Sequence, residues 1–121
     1  MICDDDKDIV SALDIYLTSE GYRTLKAYNG REAIRAVEHN EVHLILMDVM
    51  MPVRDGHEAT RAIRAMDRPD AKSIPIFAMT ANAFAEDRLK ALQAGMNEHL
   101  SKPIDPDTLY RLLVKYLTER S

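Results

Sequence analysis

Asp48 closes the apolar run Leu44 to Met47, and Asp4-Asp5-Asp6 follows the short run Met1-Ile2-Cys3. The run Ile74 to Met79 leads to Thr80, and Glu98 to Ser101 leads to Lys102-Pro103. If these runs are neighbouring parallel strands, their ends bring aspartates, a hydroxyl and a lysine to one edge, where open α/β sheets bind ligands. Carboxylates gathered there repel one another unless a cation shares them. The donors on offer are oxygens, which suit Mg²⁺ rather than zinc. A carboxylate can act as a nucleophile and form an acyl phosphate. A lysine and a hydroxyl beside it can neutralise and position the phosphoryl group. The residues therefore point to Mg²⁺-dependent phosphorylation of Asp48.

The elements that must deliver these groups alternate along the chain. Ile9, Leu13, Tyr16 and Leu17 keep helical spacing, and Gly21 offers a stop. Arg23 to Ala27 reads as a second strand. Asn29 with Glu32 has the spacing of a capping box for a helix burying Ala33, Ile34 and Val37. His43 to Asp48, bounded by the Met51-Pro52 and Asp55-Gly56 turn signals, reads as a strand buried on both faces. Ala59, Ile63 and Met66 mark the next helix, Ile74 to Met79 the fourth strand, and Phe84 to Ala94 a helix closed by Gly95. A last short strand, Glu98 to Ser101, precedes Asp105-Pro106, an N-cap with proline at the first helical position. Leu109, Leu112, Leu113, Tyr116 and Leu117 then face the core. Strand and helix alternating five times imply a parallel sheet covered on both faces.

The 121 residues make one domain, 1–121, with enough chain for a core. Its first strand reads as shortened, and a fold that survives with modest stability is expected. No apolar run approaches the roughly 20 residues of a membrane span, so no membrane insertion is expected. The single cysteine, Cys3, excludes an internal disulfide and reads as a buried, inert thiol in a reducing compartment. The net charge of −4 disfavours a nucleic-acid surface. Met47, Met50, Met51 and Met79 read as packing, Asp6 as a helix cap, and His39, His43 and His57 as surface groups.

The set Asp4-Asp5, Asp48 with Met51-Pro52 and Asp55-Gly56, Thr80-Ala81 and Lys102-Pro103 resembles the receiver domain of two-component response regulators. The resemblance implies a flavodoxin-like, doubly wound (βα)5 sandwich with strand order 2-1-3-4-5. It implies Asp48 as phosphoacceptor from a phosphohistidine of a histidine kinase or histidine phosphotransfer domain. Mg²⁺ would be held by Asp5, Asp48 and the backbone carbonyl of Met50, with Asp4 acting through water. Thr80 would be the switch hydroxyl, Ala81 would offer a backbone N–H to the phosphoryl group, and Lys102 would pair with it across a cis Lys102-Pro103 bond. The usual aromatic switch position holds His99, which otherwise reads as a partly exposed surface group. The stretches Met79 to Ala83 and Gly95 to Ile104 resemble receivers of hybrid histidine kinases, while the first third resembles free-standing regulators. The expected output surface, and a route to a homodimer, is Phe84 to Leu117. The chain then reads as a cytoplasmic stand-alone regulator or an excised piece of a hybrid kinase. It would be no enzyme beyond its own phosphorylation and dephosphorylation.

Three rivals follow from the same residues. A phosphatase or phosphotransferase using Asp48 would usually carry a second aspartate two residues on, where Met50 stands. A flavodoxin-like cofactor carrier would need a phosphate cradle after the first strand, where three aspartates would repel a flavin phosphate. A receiver-like binding module would keep the fold without the phosphorylation.

Overall fold

In the computed structural model, residues 1–51, 55–81 and 85–118 are described. The elements run β1 (Ile2–Cys3), α1 (Lys7–Ser19), β2 (Lys26–Ala27), α2 (Gly30–His39), β3 (Ile45–Asp48), α3 (Gly56–Arg64), β4 (Ile76–Thr80), α4 (Ala85–Ala94), β5 (Glu98–Ser101) and α5 (Pro106–Leu113). A π-helical turn, Val114–Thr118, continues α5. All strand pairs are parallel, and the sheet order is β2-β1-β3-β4-β5. This is the flavodoxin-like (βα)5 sandwich expected from the sequence.

Alternation along the central strands builds two cores. Cys3, Ile45, Met47, Ile76 and Ala78 face one side, against Ala33, Val37, Ala59, Ile63 and Ala91 of α2, α3 and α4. Ile2, Leu46, Phe77 and Met79 face the other, against Val10, Leu13, Leu17, Leu109 and Leu113 of α1 and α5. Both β3 and β4 are buried along their whole length. That double burial is why they read as continuous apolar runs rather than as an alternating pattern. Removing a side chain such as the fully buried Phe77 costs about 3–5 kcal/mol in such a core.

Helix starts follow the caps. Asp6 accepts from the Asp8 and Ile9 N–H groups, Asp55 from Glu58 N–H, and Asp105 from Thr108 N–H. Asn29 accepts from Glu32 N–H at 2.9 Å, but the Glu32 carboxylate returns to Tyr28 N–H rather than to that of Asn29. The capping box is thus offset by one residue. Gly21 and Gly95, at φ 91° and 107°, occupy the left-handed region that lets a helix stop.

Several boundaries differ from expectation. Arg23 to Ala27 shrinks to Lys26–Ala27, because its neighbour β1 offers only Ile2 and Cys3 to pair with. Helix α3 ends at Arg64, so Met66 packs from the turn beyond it. Of the expected start of α4, Phe84 lies outside the described residues, as do Pro52, Asn82 and Ala83 of the expected motifs. Among the described residues no helix is long and apolar enough to cross a membrane.

Candidate phosphoryl-acceptor and metal site

Strand register assembles the site. Cys3 pairs with Met47, so the next residues, Asp4 and Asp48, leave their strands side by side. Asp48 pairs with Met79, which puts Thr80 one step beyond it on β4. Thr80 pairs with Ser101, and Lys102 N–H donates to Thr80 O at 2.8 Å, so β5 delivers the lysine to the same edge. The Lys102-Pro103 peptide is cis.

The side chains meet as well. Lys102 Nζ lies 2.8 Å from Asp4 Oδ2 and 3.3 Å from Asp48 Oδ1. The contact with Asp4 Oδ2 is an ion pair without a well-directed hydrogen bond. Asp4 Oδ1 accepts from Asp6 N–H at 2.9 Å, and Asp48 Oδ1 from Met50 N–H at 3.3 Å. Asp4, Asp48 and Thr80 are buried, whereas Asp5 is exposed at the mouth. Asp4, Asp5 and Asp48 each offer a carboxylate oxygen within 4.8 Å of the others. Three carboxylates facing one ammonium leave negative charge over, and an all-oxygen donor set fits a hard divalent cation.

Electrostatics record the excess. Burial, reinforced by the Asp4 charge, pushes the Asp48 carboxyl up to about 6 against the pull of Lys102 and Met50 N–H. Burial draws the Lys102 ammonium down, yet its pairing with Asp4 and Asp48 outweighs this and holds it above the ordinary lysine value. Beside them, burial pushes the Cys3 thiol up to about 12, helped by the Asp4 and Asp48 charges. Cys3 Sγ is 3.5 Å from Met51 Sδ and from Asn29 O, a buried thiol as expected.

Asp4, Asp48, Thr80 and Lys102, singled out from the sequence, share this edge, with Asp5 at its rim and Ala81 directly after β4. His99 pairs with Ala78, three residues before Lys102, and its buried Nε2 has no hydrogen-bond partner. Two expectations need correction. Met50, read as packing, is 76% exposed, because the chain leaves the sheet at Asp48 and turns its side chain to solvent. His57, read as a surface group, is half-buried on α3 with an unpartnered, buried Nε2.

Gly56, read only as half of a turn signal, has an N–H that donates to Val49 O at 3.2 Å. A Cβ at Gly56 would lie 2.3 Å from the Asp48 carbonyl oxygen. The Asp55-Gly56 pair was legible as a turn signal, but its pressure on the Asp48 backbone was not.

Comparison with known proteins gives this edge a context. The family pattern described as the response regulator receiver domain matches residues 1–114. The sensor protein GacS of Pseudomonas syringae is 36% identical over 118 residues, covering 96% of this chain and 13% of GacS. The transcriptional regulatory protein PrrA of Mycobacterium tuberculosis is 34% identical over 103 residues, covering 85% of this chain and 42% of PrrA. This chain thus spans less than half of either relative. The receiver domain of the sensor histidine kinase PA1611 from Pseudomonas aeruginosa superposes with a TM-score of 0.88 at 38% identity. The match covers 97% of this chain and 94% of that domain, which has a magnesium ion coordinated in its active-site cleft. Motif order, strand topology and these matches agree: the chain belongs to the response regulator receiver domain family of two-component signalling.

Proposed function

We propose that this chain accepts a phosphoryl group on Asp48 from the phosphohistidine of a histidine kinase or phosphotransfer domain, and that this shifts its affinity for a partner. The observation that carries the reading is the meeting of Asp4, Asp48 and Lys102 at one strand edge, with a buried carboxylate pushed up to about 6. Asp5, Asp48 and the Met50 carbonyl would hold Mg²⁺, with Asp4 acting through water. Bound there, Mg²⁺ would supply charge to offset the carboxylates and the phosphoryl oxygens.

In the transfer, an Asp48 carboxylate oxygen attacks phosphorus. The P–N bond breaks, its electron pair stays on the imidazole nitrogen, and an acyl phosphate remains on Asp48. Lys102 neutralises a phosphoryl oxygen, giving up part of its hold on Asp48 and Asp4. The Ala81 N–H and the Thr80 hydroxyl donate to the others, and His99 answers the movement of Thr80. New bonds from Thr80 and Lys102 then bias a two-state equilibrium.

A groove of 510 Å³ runs between α1 and the start of α5, lined by Ile9, Leu13, Tyr16, Pro103 and Leu109, with Lys102 at its end. An apolar helix carrying the phosphohistidine fits it, because Lys102 belongs to both groove and site. The exposed Leu89, Leu92, Tyr110 and Val114 on α4 and α5 support an output or self-association face. The net charge of −4 argues against direct nucleic-acid contact, and a kinase donor argues for the cytoplasm.

The test is intact mass after incubation with acetyl phosphate, with and without Mg²⁺, on wild type and Asp48→Asn. A Mg²⁺-dependent, hydroxylamine-labile adduct in wild type alone is the expected result. Undiminished labelling of Asp48→Asn would overturn the assignment.

A further inference from the structure

The chain carries seven methionines and one cysteine, and these sulfur residues differ sharply in access. Met47, Met51, Met79 and Met96 are buried, and Met1 and Met66 are half-buried. Met51 is only 8% exposed, with its sulfur against Cys3 Sγ at 3.5 Å. Cys3 is fully buried, and its thiol, pushed up to about 12, is not the thiolate that attacks peroxides. Met50 stands apart, 76% exposed and two residues past Asp48, with its N–H on Asp48 Oδ1 at 3.3 Å. An oxidant reaching this edge therefore meets the Met50 thioether first.

We propose that Met50 is a reversible oxidation site for hydroperoxides, and that its sulfoxide slows phosphoryl transfer to Asp48. The second half rests on the function proposed above. The Met50 sulfur attacks one oxygen of the hydroperoxide, so an S–O bond forms and the O–O bond breaks. Sulfur loses two electrons, the proton on the attacked oxygen passes to the departing oxygen, and that oxygen leaves as water or an alcohol. The product places a partly negative oxygen beside a mouth already formed by Asp4, Asp5 and Asp48. An incoming phosphoryl group, itself anionic, is repelled, and the rate falls by roughly threefold to tenfold, the effect of one added dipole in partly screened surroundings.

The test treats the whole chain with graded hydrogen peroxide and maps oxygen addition by peptide mass. The rate of Mg²⁺-dependent labelling by acetyl phosphate is followed in parallel, each protein against its own untreated control. Wild type is expected to gain oxygen first at Met50, lose rate in proportion, and recover both with methionine sulfoxide reductases A and B. Met50→Leu is expected to keep its own starting rate through the same treatment. Oxygen appearing first on another methionine overturns the site. A fully oxidised Met50 with unchanged labelling, or an equal rate loss in Met50→Leu, overturns the consequence. If untreated wild type takes no label, the phosphoacceptor reading itself has failed and the kinetic consequence with it, while the peptide map still decides the oxidation site.

Discussion

At the base of the sheet, where α3 ends, Arg64 donates to Gly95 O from Nε and Nη2 at 3.0 and 2.8 Å. The same guanidinium reaches Ala71 O at 3.0 Å and Asn97 Oδ1 at 2.9 Å. Arg68, nearby, pairs with Asp70 and donates to Val37 O and Asn40 O at the end of α2. At the opposite edge Asp4 and Asp48 share one lysine with Asp5 close beside them, and Asp48 is driven towards its neutral form. The base matches its half-buried charges with acceptors, while the upper edge leaves carboxylates over. Charges matched within the fold serve stability, and charges left unmatched are free to respond to something that arrives later.

The sharpest way to break this contrast is Lys102→Ala. Removing the cation that faces Asp4 and Asp48 should cut the rate of acetyl-phosphate labelling about 100-fold, the scale of losing one positioned charge partner. Arg64→Ala should leave Gly95 O and Ala71 O without the donors that Arg64 supplies and cost about 2–4 kcal/mol by urea unfolding. Labelling by the fraction still folded should persist. A rate loss from Arg64→Ala as deep as that from Lys102→Ala would erase the distinction between the two edges.

The pH dependence of metal-free stability sharpens the comparison further. The folded Asp48 value of about 6 lies above the unfolded value of about 3.9. Between those values the folded chain binds the extra proton, so stability falls as pH rises through the window and levels off above it. Complete realisation of the shift would remove roughly 3 kcal/mol. Thermal unfolding of wild type should therefore lose ground to Asp48→Asn from pH 4 to pH 6, and Mg²⁺ should restore it at pH 7. Parallel pH curves for the two proteins would contradict the assignment of the excess charge to Asp48. The smallest effect belongs to Asp6→Ala. Asp6 belongs to the acidic run, but it caps α1, so the change should cost about 1 kcal/mol and leave labelling intact.

The upper edge was legible in the sequence because its chemistry sits at punctuation marks. Asp48, Thr80 and Lys102 each follow a strand-like run, and the alternation of strands and helices brings strand ends together. The base was not legible. Nothing in the sequence singles out Arg64, since its acceptors are carbonyls of Ala71 and Gly95, which no side-chain pattern marks. Met50 was misread for a related reason: its apolar type matches the buried run before it, and the place where the backbone leaves the sheet decides its exposure. The Lys102–Asp4 contact also escaped notice, because it depends on register between strands about a hundred positions apart. Tyr116, expected only to face the core, also donates from its hydroxyl to Glu98 at 2.5 Å.

Gly56 carries a consequence for mutational tolerance. Even the methyl group of alanine would lie 2.3 Å from the carbonyl oxygen of Asp48 and 2.9 Å from the Cα of Val49, and neither is the tip of a pliant side chain. In a saturation library scored for labelling, position 56 should accept a single letter, whereas Met50 next to the same aspartate should accept many. Position 56, with no side chain at all, would then be as narrow as the phosphoacceptor position Asp48.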